Sequence, residues 1–413
     1  MAPALHAFAG YGIELEYAIV DGATLDPRPL AEPLLRALES GRPKRIDGVE
    51  IDWSNELVAH VVEIKNVAPV ASFELLTTAF HDGVAATARR VGEFDALLMP
   101  TGMHPWMDAR TAELWTHSDG AIYRAFDRLF DCHRHGWANL QSMHINLPFA
   151  DDDEFARLHA AVRLVLPLIP ALAASSPFAD GQRMPFLDYR LEAYRCNTER
   201  VPAITGAVIP DNVYGRADYQ AGVLEPMYRD IAADDPERVL QHEWLNARGA
   251  IARFDRNAIE IRLCDTQECP RADLAIAAIV TAVVRALYDA RWQPLDAQQA
   301  LSTPRLAALL HAGMRDGEEA IIADAAYLRA FGVSDPALRA GDLCAHLVDE
   351  CDATARVLNR GYRESIDTIL AHGPLARRIV RAIDGATGRK ELAHVYRRLC
   401  DCLMRDELFV AGA

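Results

Sequence analysis

Three short segments of this chain alternate apolar and polar residues with a period of two. They are residues 12–17 (GIELEY), 142–147 (SMHINL) and 259–263 (IEIRL). Because successive side chains of a β-strand point to opposite faces, each segment would have one apolar face and one polar face. A chain with three such strands is constrained to fold around a sheet that buries one of its faces.

The polar faces of these segments carry groups that bind metals and phosphates. They display E-x-E, H-x-N and E-x-R, and the residues are Glu14, Glu16, His144, Asn146, Glu260 and Arg262. Carboxylates two apart on one strand repel each other unless a cation lies between them. Hard divalent cations take carboxylate oxygens, and arginine offers a planar fork to a phosphoryl oxygen. An ordinary solvated face is the alternative for any one strand, but the three together favour a metal–phosphate site.

A fourth segment adds two more carboxylates, Glu56 and Glu63. They are seven residues apart and cannot share a face of one regular strand, so a turn or a bulge must separate them. Lys65 has the same parity as Glu63, and neutralisation of Glu63 by this lysine is the alternative interpretation.

The pattern of elements predicts an α+β fold for the first part of the chain. Period-two alternation predicts strands at residues 9–20, 58–65, 96–103, 138–148 and 258–265. Helical periodicity predicts helices at 73–94, 119–134, 151–174 and 271–291, the third opening on four acidic residues suited to a helix N-terminus. Residues 176–245 are rich in proline, glycine and aromatics, and we expect long ordered loops there.

Strand signals disappear after the break at residues 292–294. Residues 296–413 alternate helical stretches with glycine and proline stops. We therefore predict two domains, 1–295 and 296–413, the second an all-helical segment that either packs on the first or forms its own bundle.

Charge and apolar content exclude several classes of function. The net charge is −16, so a surface this acidic repels nucleic acid, and we expect the one basic cluster, Arg377, Arg378 and Arg381, to be a solvated helix face. Apolar stretches such as 275–284 are too short to span a bilayer, and no signal peptide is recognised. We expect a soluble cytoplasmic protein without a membrane or nucleic-acid partner, whose eight cysteines are reduced and without function.

Five blocks of the sequence resemble, in order, the motifs of the glutamate–cysteine ligase family, which includes small carboxylate–amine ligases. They are residues 12–17 (GIELEY), the pair Glu56 and Glu63, residues 101–105 (TGMHP), residues 142–146 (SMHIN) and residues 260–265 (EIRLCD). Met143 departs from the family pattern, which has glycine at that position.

The resemblance implies a glutamine-synthetase-like fold, a curved and mostly antiparallel sheet with helices on its convex side. It also implies that ATP is held by two or three Mg²⁺ or Mn²⁺ ions, whose ligands here would be Glu14, Glu16, Glu56, Glu63, His144 and Glu260. Arg262 would contact the transferring phosphoryl group, beside Glu260 in the catalytic strand.

The function that follows is an ATP- and Mg²⁺-dependent ligase that activates a carboxylate as an acyl phosphate and joins it to an amine. Such chemistry needs positioning and charge neutralisation rather than covalent help from the protein. Both substrates would be small molecules, and glutamate or a glutamate-like acid is the donor that the resemblance implies. Arg248 and Arg256 flank the E-x-R strand and are further candidates for phosphate contact.

Several polar residues outside these strands have two interpretations. His104 either caps a turn or acts in catalysis, and Trp106 and Trp115 either belong to the core or line a nucleotide pocket. The 176–245 segment also contains Arg195, Asn197 and Arg200. An arginine there would either clamp a substrate carboxylate or serve the structure.

Two other classes of protein remain open at this point. A phosphotransferase of the guanidino-kinase type would stop at phosphoryl transfer, and a non-catalytic nucleotide-binding protein would keep only the scaffold. A homo-oligomer is also possible.

Overall fold

A computed structural model of the chain describes residues 4–39, 48–355, 360–383, 385 and 388–411. Within these residues, seven strands form one sheet and four two-residue strands form two separate pairs. The strands are β1 (Gly12–Asp21), β2 (Ile51–Asn55), β3 (Val61–Asn66), β4 (Ala96–Met99), β5 (Ser142–Pro148), β6 (Phe178–Ala179), β7 (Gln182–Arg183), β8 (Ala250–Arg253), β9 (Ala258–Asp265), β10 (Ile321–Ile322) and β11 (Leu338–Arg339).

Helices account for most of the remaining regular structure. They are α1 (Ala31–Glu39), α2 (Phe73–Gly92), α3 (Gly120–Phe130), α4 (His135–Ala138), α5 (Asp152–Val165), α6 (Ile169–Ala173), α7 (Tyr189–Arg195), α8 (Arg216–Tyr219), α9 (Glu225–Ile231), α10 (Pro270–Tyr288), α11 (Leu295–Gln299), α12 (Thr303–Asp316), α13 (Ala325–Ala330), α14 (Ala340–Ala355), α15 (Arg360–His372), α16 (Leu375–Ile383) and α17 (Arg389–Arg405).

The main sheet has the order β2-β3-β1-β5-β9-β8, with β4 paired to the far end of β1. Every pairing in it is antiparallel. The predicted α+β class with a mostly antiparallel sheet is therefore confirmed. The three strands that carry the polar motifs, β1, β5 and β9, lie side by side at its centre.

The apolar face of the sheet forms the core. Ile13 and Leu15 of β1, Ile145 of β5 and Ile261 of β9 are fully buried in one continuous apolar cluster. Helix α10 lies in the same core and packs against α2, α5, α14 and α15. The alternation read from the sequence thus separates a buried face from a face that is free to carry chemistry.

Helix α5 begins where the acidic run predicted it. The carboxylate of Asp151 accepts a hydrogen bond from the backbone N–H of Glu154 at 2.9 Å, which caps the first turn. The helical run Asp152–Ala173 is long and apolar enough to cross a membrane, with a mean hydropathy of 1.5, but 89% of its apolar window is buried inside the protein. This run is a core element, and the expectation that no apolar stretch has membrane-spanning length was too strict.

The segment that carries Glu56 and Glu63 is a hairpin rather than one strand. Strands β2 and β3 pair in antiparallel register, and Glu56 lies in the connection between them. This turn is the interruption that the seven-residue spacing required.

Residues 176–245 contain more structure than the expected loops. They include the β6–β7 pair, helices α7, α8 and α9, and a 3₁₀ turn at Glu243–Leu245. The elements are short, so their periodicity is too brief to be recognised among the prolines and glycines.

The C-terminal segment packs on the first part of the chain. Residues from α12 to α15 belong to the same apolar cluster as the sheet, and α16 and α17 form a second cluster with Val20 of β1 and Met99 of β4. Among the described residues of this segment, the expected helices are interrupted by the two-residue strands β10 and β11, which pair antiparallel. The division at residue 295 stays a prediction.

One of the three clustered arginines is not on a solvated face. Arg378 is 1% exposed and forms an ion pair with Glu268, which is fully buried. Arg378 Nη1 also donates to the carbonyl oxygen of Phe409 at 2.7 Å. The pair ties α16 and the chain beyond α17 to the residues that precede α10, whereas Arg377 is partly exposed and bonds to Glu318.

We predict that Arg378→Met destabilises the protein by about 3–5 kcal/mol, because it leaves the carboxylate of Glu268 buried without a cation. Urea denaturation measures this loss. Removing both charges in Glu268→Leu/Arg378→Met should recover most of it. The exposed pair Arg360 and Glu364 provides the control, since Arg360→Met should leave the denaturation midpoint unchanged. Equal effects of the two arginine substitutions would contradict the structural role of Arg378.

Candidate active site

Strand register brings the polar motifs together on the open face of the sheet. Glu14 of β1 lies opposite His144 of β5 on one side and opposite Lys65 of β3 on the other. Glu16 lies opposite Glu63, and Asn146 lies opposite Glu260. Side chains directly opposite on neighbouring strands are in contact distance, so three sequence motifs become one polar row.

His144 is at the centre of this row. Its Nδ1 atom lies 3.0 Å from a carboxylate oxygen of Glu14 and 3.8 Å from one of Glu260. Its Nε2 atom lies 3.9 Å from Glu16. The imidazole therefore contacts carboxylates from both neighbouring strands.

Two groups of three side chains have the spacing of metal ligands. Glu14, His144 and Glu260 each offer a ligand atom within 4.8 Å of the others, and so do Glu16, Glu63 and His144. These are hard oxygen donors with one imidazole, a set that suits Mg²⁺ or Mn²⁺. The residues present therefore fit the ions that the resemblance implies.

Glu56 approaches the row from the β2–β3 connection. Glu56 lines the same cavity as Glu16 and His144. Five of the six expected metal ligands thus fall into the two groups of three, and Glu56 lies beside them.

The carboxylates carry more negative charge than their partners neutralise. Burial, and then the charge of Glu14, raises the pKa of Glu63 to about 7, although Lys65 at 2.5 Å opposes the rise. Burial and the charges of Glu16 and Glu63 raise the pKa of Glu56 well above its usual range. A divalent cation bound beside Glu56 and Glu63 would offset the repulsion between the carboxylates and so lower these raised pKa values.

His144 and Glu14 act in the opposite sense. Burial alone would lower the pKa of His144, but hydrogen bonding to Glu14 and the charges of three carboxylates raise it to about 9. Burial alone would raise the pKa of Glu14, yet its contacts with His144 hold it below its usual range. An imidazolium thus fills part of the cation's role when no metal is bound.

Ser142 fixes the orientation of Glu16. Its backbone N–H and its hydroxyl donate to the same oxygen of Glu16, at 2.7 and 3.1 Å. Asn146 similarly donates to Glu14 at 3.1 Å. The carboxylates of Glu14 and Glu16 are therefore held in place by residues of the neighbouring strand β5.

Glu260 is held between two arginines. Arg262 Nε donates to one of its oxygens at 2.6 Å, and Arg253 Nη1 donates to the other at 3.2 Å. Burial would raise the pKa of Glu260, but the charges of these arginines and His144 hold it below its usual range. Arg253 was not predicted from the sequence, because its contact depends on the pairing of β8 with β9.

Two cavities flank the polar row. The larger, about 560 Å³, is lined by Glu14, Lys65, Asn146 and Arg256 together with the apolar residues Leu5 and Val67. The smaller, about 240 Å³, is lined by Glu16, Glu56, His144 and Arg262 together with several aromatic residues. The row thus separates two spaces of different character.

The two arginines expected to contact phosphate lie in different places. Arg256 is exposed and lines the larger cavity, so it is available to a ligand there. Arg248 is buried, its Nε donates to Asp211 at 2.6 Å and its Nη1 donates to the carbonyl of Ala203. The expectation for Arg248 is therefore corrected, because its guanidinium is used to hold the segment that contains residues 203–211.

His104 and the three candidate residues Arg195, Asn197 and Arg200 all have partners within the protein. His104 Nδ1 accepts hydrogen bonds from the backbone of Trp106 and Met107, and burial lowers the pKa of His104 to about 4. His104 therefore caps a turn. Arg195 and Arg200 form exposed ion pairs with Glu192 and Asp234. Asn197 lines the smaller cavity but donates to the carbonyl of Gly136.

The two tryptophans with open interpretations are not in the cavities that flank the row. Trp115 is buried in the main core and Trp106 packs beside the second apolar cluster, where its ring lies edge-on to Tyr396. The core interpretation therefore describes both, although Trp115 also lines a third cavity, of about 380 Å³, beside Ser54 and Asn55.

Arg190 is a cavity residue that the sequence did not reveal. Its Nε donates to Asp265 at 2.5 Å and its Nη2 donates to the carbonyl of Leu263 at 2.9 Å, so the end of β9 holds it rigidly. Gly102 packs directly on the same aspartate, since a Cβ atom there would lie 2.4 Å from Asp265 Cγ. Asp265, the last residue of the E-x-R-x-x-D block, was visible in the sequence, but the sequence does not show that Arg190 is its partner.

Comparison with known proteins gives a family for this arrangement. Residues 11–399 match the family described as glutamate–cysteine ligase family 2. An uncharacterised protein of Archaeoglobus fulgidus is 30% identical over 399 residues, which cover 97% of this chain and all of that protein.

Two solved structures share the fold. The glutamate–cysteine ligase of Francisella tularensis, solved in complex with AMP, aligns with a TM-score of 0.60 at 14% identity and covers 95% of this chain and 88% of that one. A bifunctional glutathione synthetase of Pasteurella multocida aligns with a TM-score of 0.58 at 13% identity. The alignment covers 95% of this chain and 53% of the synthetase. The chain belongs to glutamate–cysteine ligase family 2, and it is an enzyme of the ATP-dependent ligase class that forms carbon–nitrogen bonds.

Proposed function

We propose that this protein phosphorylates a small carboxylic acid with ATP and then joins the resulting acyl phosphate to an amine. The observation that carries the proposal is the row of carboxylates around His144, which lies beside Arg262 and between two cavities. Glutamate or a glutamate-like acid is the donor that family membership favours.

Divalent cations would be held by the two groups of three ligands. Glu14, His144 and Glu260 form one group, and Glu16, Glu63 and His144 form the other. Glu56 lines the same cavity as Glu16 and His144 and is a further candidate ligand. Mg²⁺ or Mn²⁺ bound there would neutralise the phosphate oxygens of ATP. Without a bound ion, His144 carries the positive charge that Glu14 faces.

The two cavities suit different substrates. The larger one combines Lys65 and Arg256 with the exposed apolar side chains of Leu5 and Val67, as a nucleotide with phosphates and a flat base requires. The smaller one would then take the carboxylate, whose oxygen would attack the γ-phosphorus next to Arg262.

The reaction breaks the bond between the γ-phosphorus and the bridging oxygen, and ADP leaves with that electron pair. The amine then attacks the carbonyl carbon, loses a proton, and displaces phosphate to leave an amide. Arg262 would stabilise charge on the transferring phosphoryl group with its guanidinium fork. Glu260 keeps that fork in place through the 2.6 Å hydrogen bond from Nε.

Metal dependence is the first test of the polar row. Glu14→Gln and Glu16→Gln should abolish turnover and remove most of the Mn²⁺-induced rise in melting temperature. In the unchanged protein, Mn²⁺ at about 100 times its Kd should stabilise the fold by about 2.7 kcal/mol. Circular dichroism melts with Mn²⁺ and with EDTA measure the stabilisation, and release of ADP from ATP measures turnover. Asp218→Asn alters an exposed acid on α8 and should keep the full rise. Full activity in EDTA would end the metal proposal.

The role of Arg262 separates catalysis from binding. Arg262→Lys keeps the charge but loses the fork, so kcat should fall by about 10²–10³ while the Kd for ATP changes little. Steady-state kinetics with ATP titration by calorimetry provide the two values. Arg256→Gln, at the edge of the larger cavity, should show the reverse pattern. If kcat and affinity fall together in Arg262→Lys, this arginine is only a nucleotide contact.

The reaction itself is tested with hydroxylamine in place of the unknown amine. An acyl phosphate reacts with hydroxylamine to a hydroxamate, which ferric ion makes visible. With ATP, Mg²⁺ and a panel of acids headed by glutamate and aspartate, we expect hydroxamate, ADP and free phosphate in equal amounts for at least one donor.

Other product patterns would contradict the proposal in distinct ways. Hydroxamate with AMP and pyrophosphate would indicate an adenylating enzyme. ADP without hydroxamate or free phosphate would indicate a phosphotransferase of the guanidino-kinase type. ATP binding by calorimetry without turnover for any acid would indicate a nucleotide-binding protein.

A further inference from the structure

The smaller cavity has an aromatic wall opposite its charged floor. Phe126 of α3 lies between two indoles, with ring centroids 5.2 Å from Trp137 and 5.8 Å from Trp244. All three side chains line the cavity and are partly exposed. The floor is formed by Glu16, His144 and Arg262, so one cavity joins an ionic end to an apolar end.

The wall is rigid before any substrate binds. Trp137 is stacked on Phe130 with an interplanar angle of 20°, and Trp244 is stacked on His242 with an angle of 16°. Each indole therefore has a neighbour on one face. A preformed aromatic surface of this kind binds a flat apolar group without the entropy cost of ordering side chains.

Unpartnered polar atoms lie in the same cavity lining. Within the described part of the chain, Trp137 Nε1 is buried and makes no hydrogen bond, and the Tyr194 hydroxyl, buried beside the Arg262 guanidinium, donates its hydrogen to no protein acceptor. Arg190 uses Nε and Nη2 for Asp265 and the backbone, which leaves Nη1 without such a bond. Buried donors without an acceptor, as at Trp137 and Tyr194, are costly, and a ligand with carbonyl or carboxylate oxygens would satisfy them and could also accept from Arg190 Nη1.

We propose that the carboxylate donor of this ligase is an amino diacid whose nitrogen carries an apolar, ring-sized acyl group. This inference rests on the proposed function and names the substrate class of the same site. The reacting carboxylate lies at the floor near Arg262, the remaining oxygens accept from Arg190, Tyr194 and Trp137, and the ring packs on Phe126 and Trp244.

A free amino acid fits this cavity less well. The carboxylates among the lining residues are Glu16 and Glu56, and both belong to the proposed metal site, so an α-ammonium group would lack its own counter-charge. A small polar donor would also leave the aromatic wall uncovered. Acylation of the nitrogen removes the charge and supplies both the carbonyl oxygen and the apolar group.

The test compares L-glutamate, N-acetyl-L-glutamate and N-benzoyl-L-glutamate in the hydroxamate assay. We expect kcat/KM for the benzoyl compound to exceed that for the acetyl compound at least about tenfold, which corresponds to about 1.4 kcal/mol. Trp244→Ala should reduce this ratio to less than about threefold, and Trp244→Phe should restore much of it. Trp292→Ala truncates an indole that packs on Phe331 away from the cavity lining and should leave the ratio unchanged.

Calorimetry with the same three acids decides the preference independently of turnover. Tighter binding of N-benzoyl-L-glutamate, lost in Trp244→Ala, would support the inference even in a protein that forms no hydroxamate. Hydroxamate from glutamate at equal or higher efficiency than from the benzoyl compound would overturn it and leave the ligase proposal standing. Equal binding of all three acids would also overturn it, as would tightest binding of free glutamate, since the wall would then serve an ammonium group.

Discussion

The pairing of β1 with β5, in which Glu14 faces His144, is the constraint on which the other features depend. Side chains alternate along both strands, so the same register that joins these two residues also buries Ile13 and Leu15 of β1 with Ile145 of β5. A slip by one residue would exchange the faces and place the carboxylates in the core. The energy that stabilises the core therefore also holds the ionic row in register.

Much of this could be predicted from the sequence. The alternation at Glu14–Glu16, His144 and Glu260–Arg262 is strict and contains the chemistry directly, so the strands, their open face and their association were predictable. The helix boundary at Asp151 was predictable for a similar reason, because a capping residue acts on its own neighbours. Local rules suffice where the structure is determined locally.

What the sequence did not reveal depends on long-range contact. Arg253 bonds to Glu260 because β8 folds back on β9, and Arg190 reaches Asp265 from a helix 75 residues earlier in the chain. Arg378 looked like part of a solvated face because its partner, Glu268, lies 110 residues away. Arg248 flanks the E-x-R strand in sequence, yet its guanidinium serves the segment around Asp211. The role of each of these arginines depends on the group that its guanidinium contacts, and the sequence alone does not show which distant residue that is.

The ionic row and the aromatic wall are built on different parts of the chain. The row lies on the central strands β1, β3, β5 and β9, whereas Phe126, Trp137, Tyr194 and Trp244 come from short helices and turns outside the sheet. Substitutions in those helices and turns do not alter strand register. Evolution could thus exchange the acids that such an enzyme recognises, one wall residue at a time, while inheriting the same machinery for activating them.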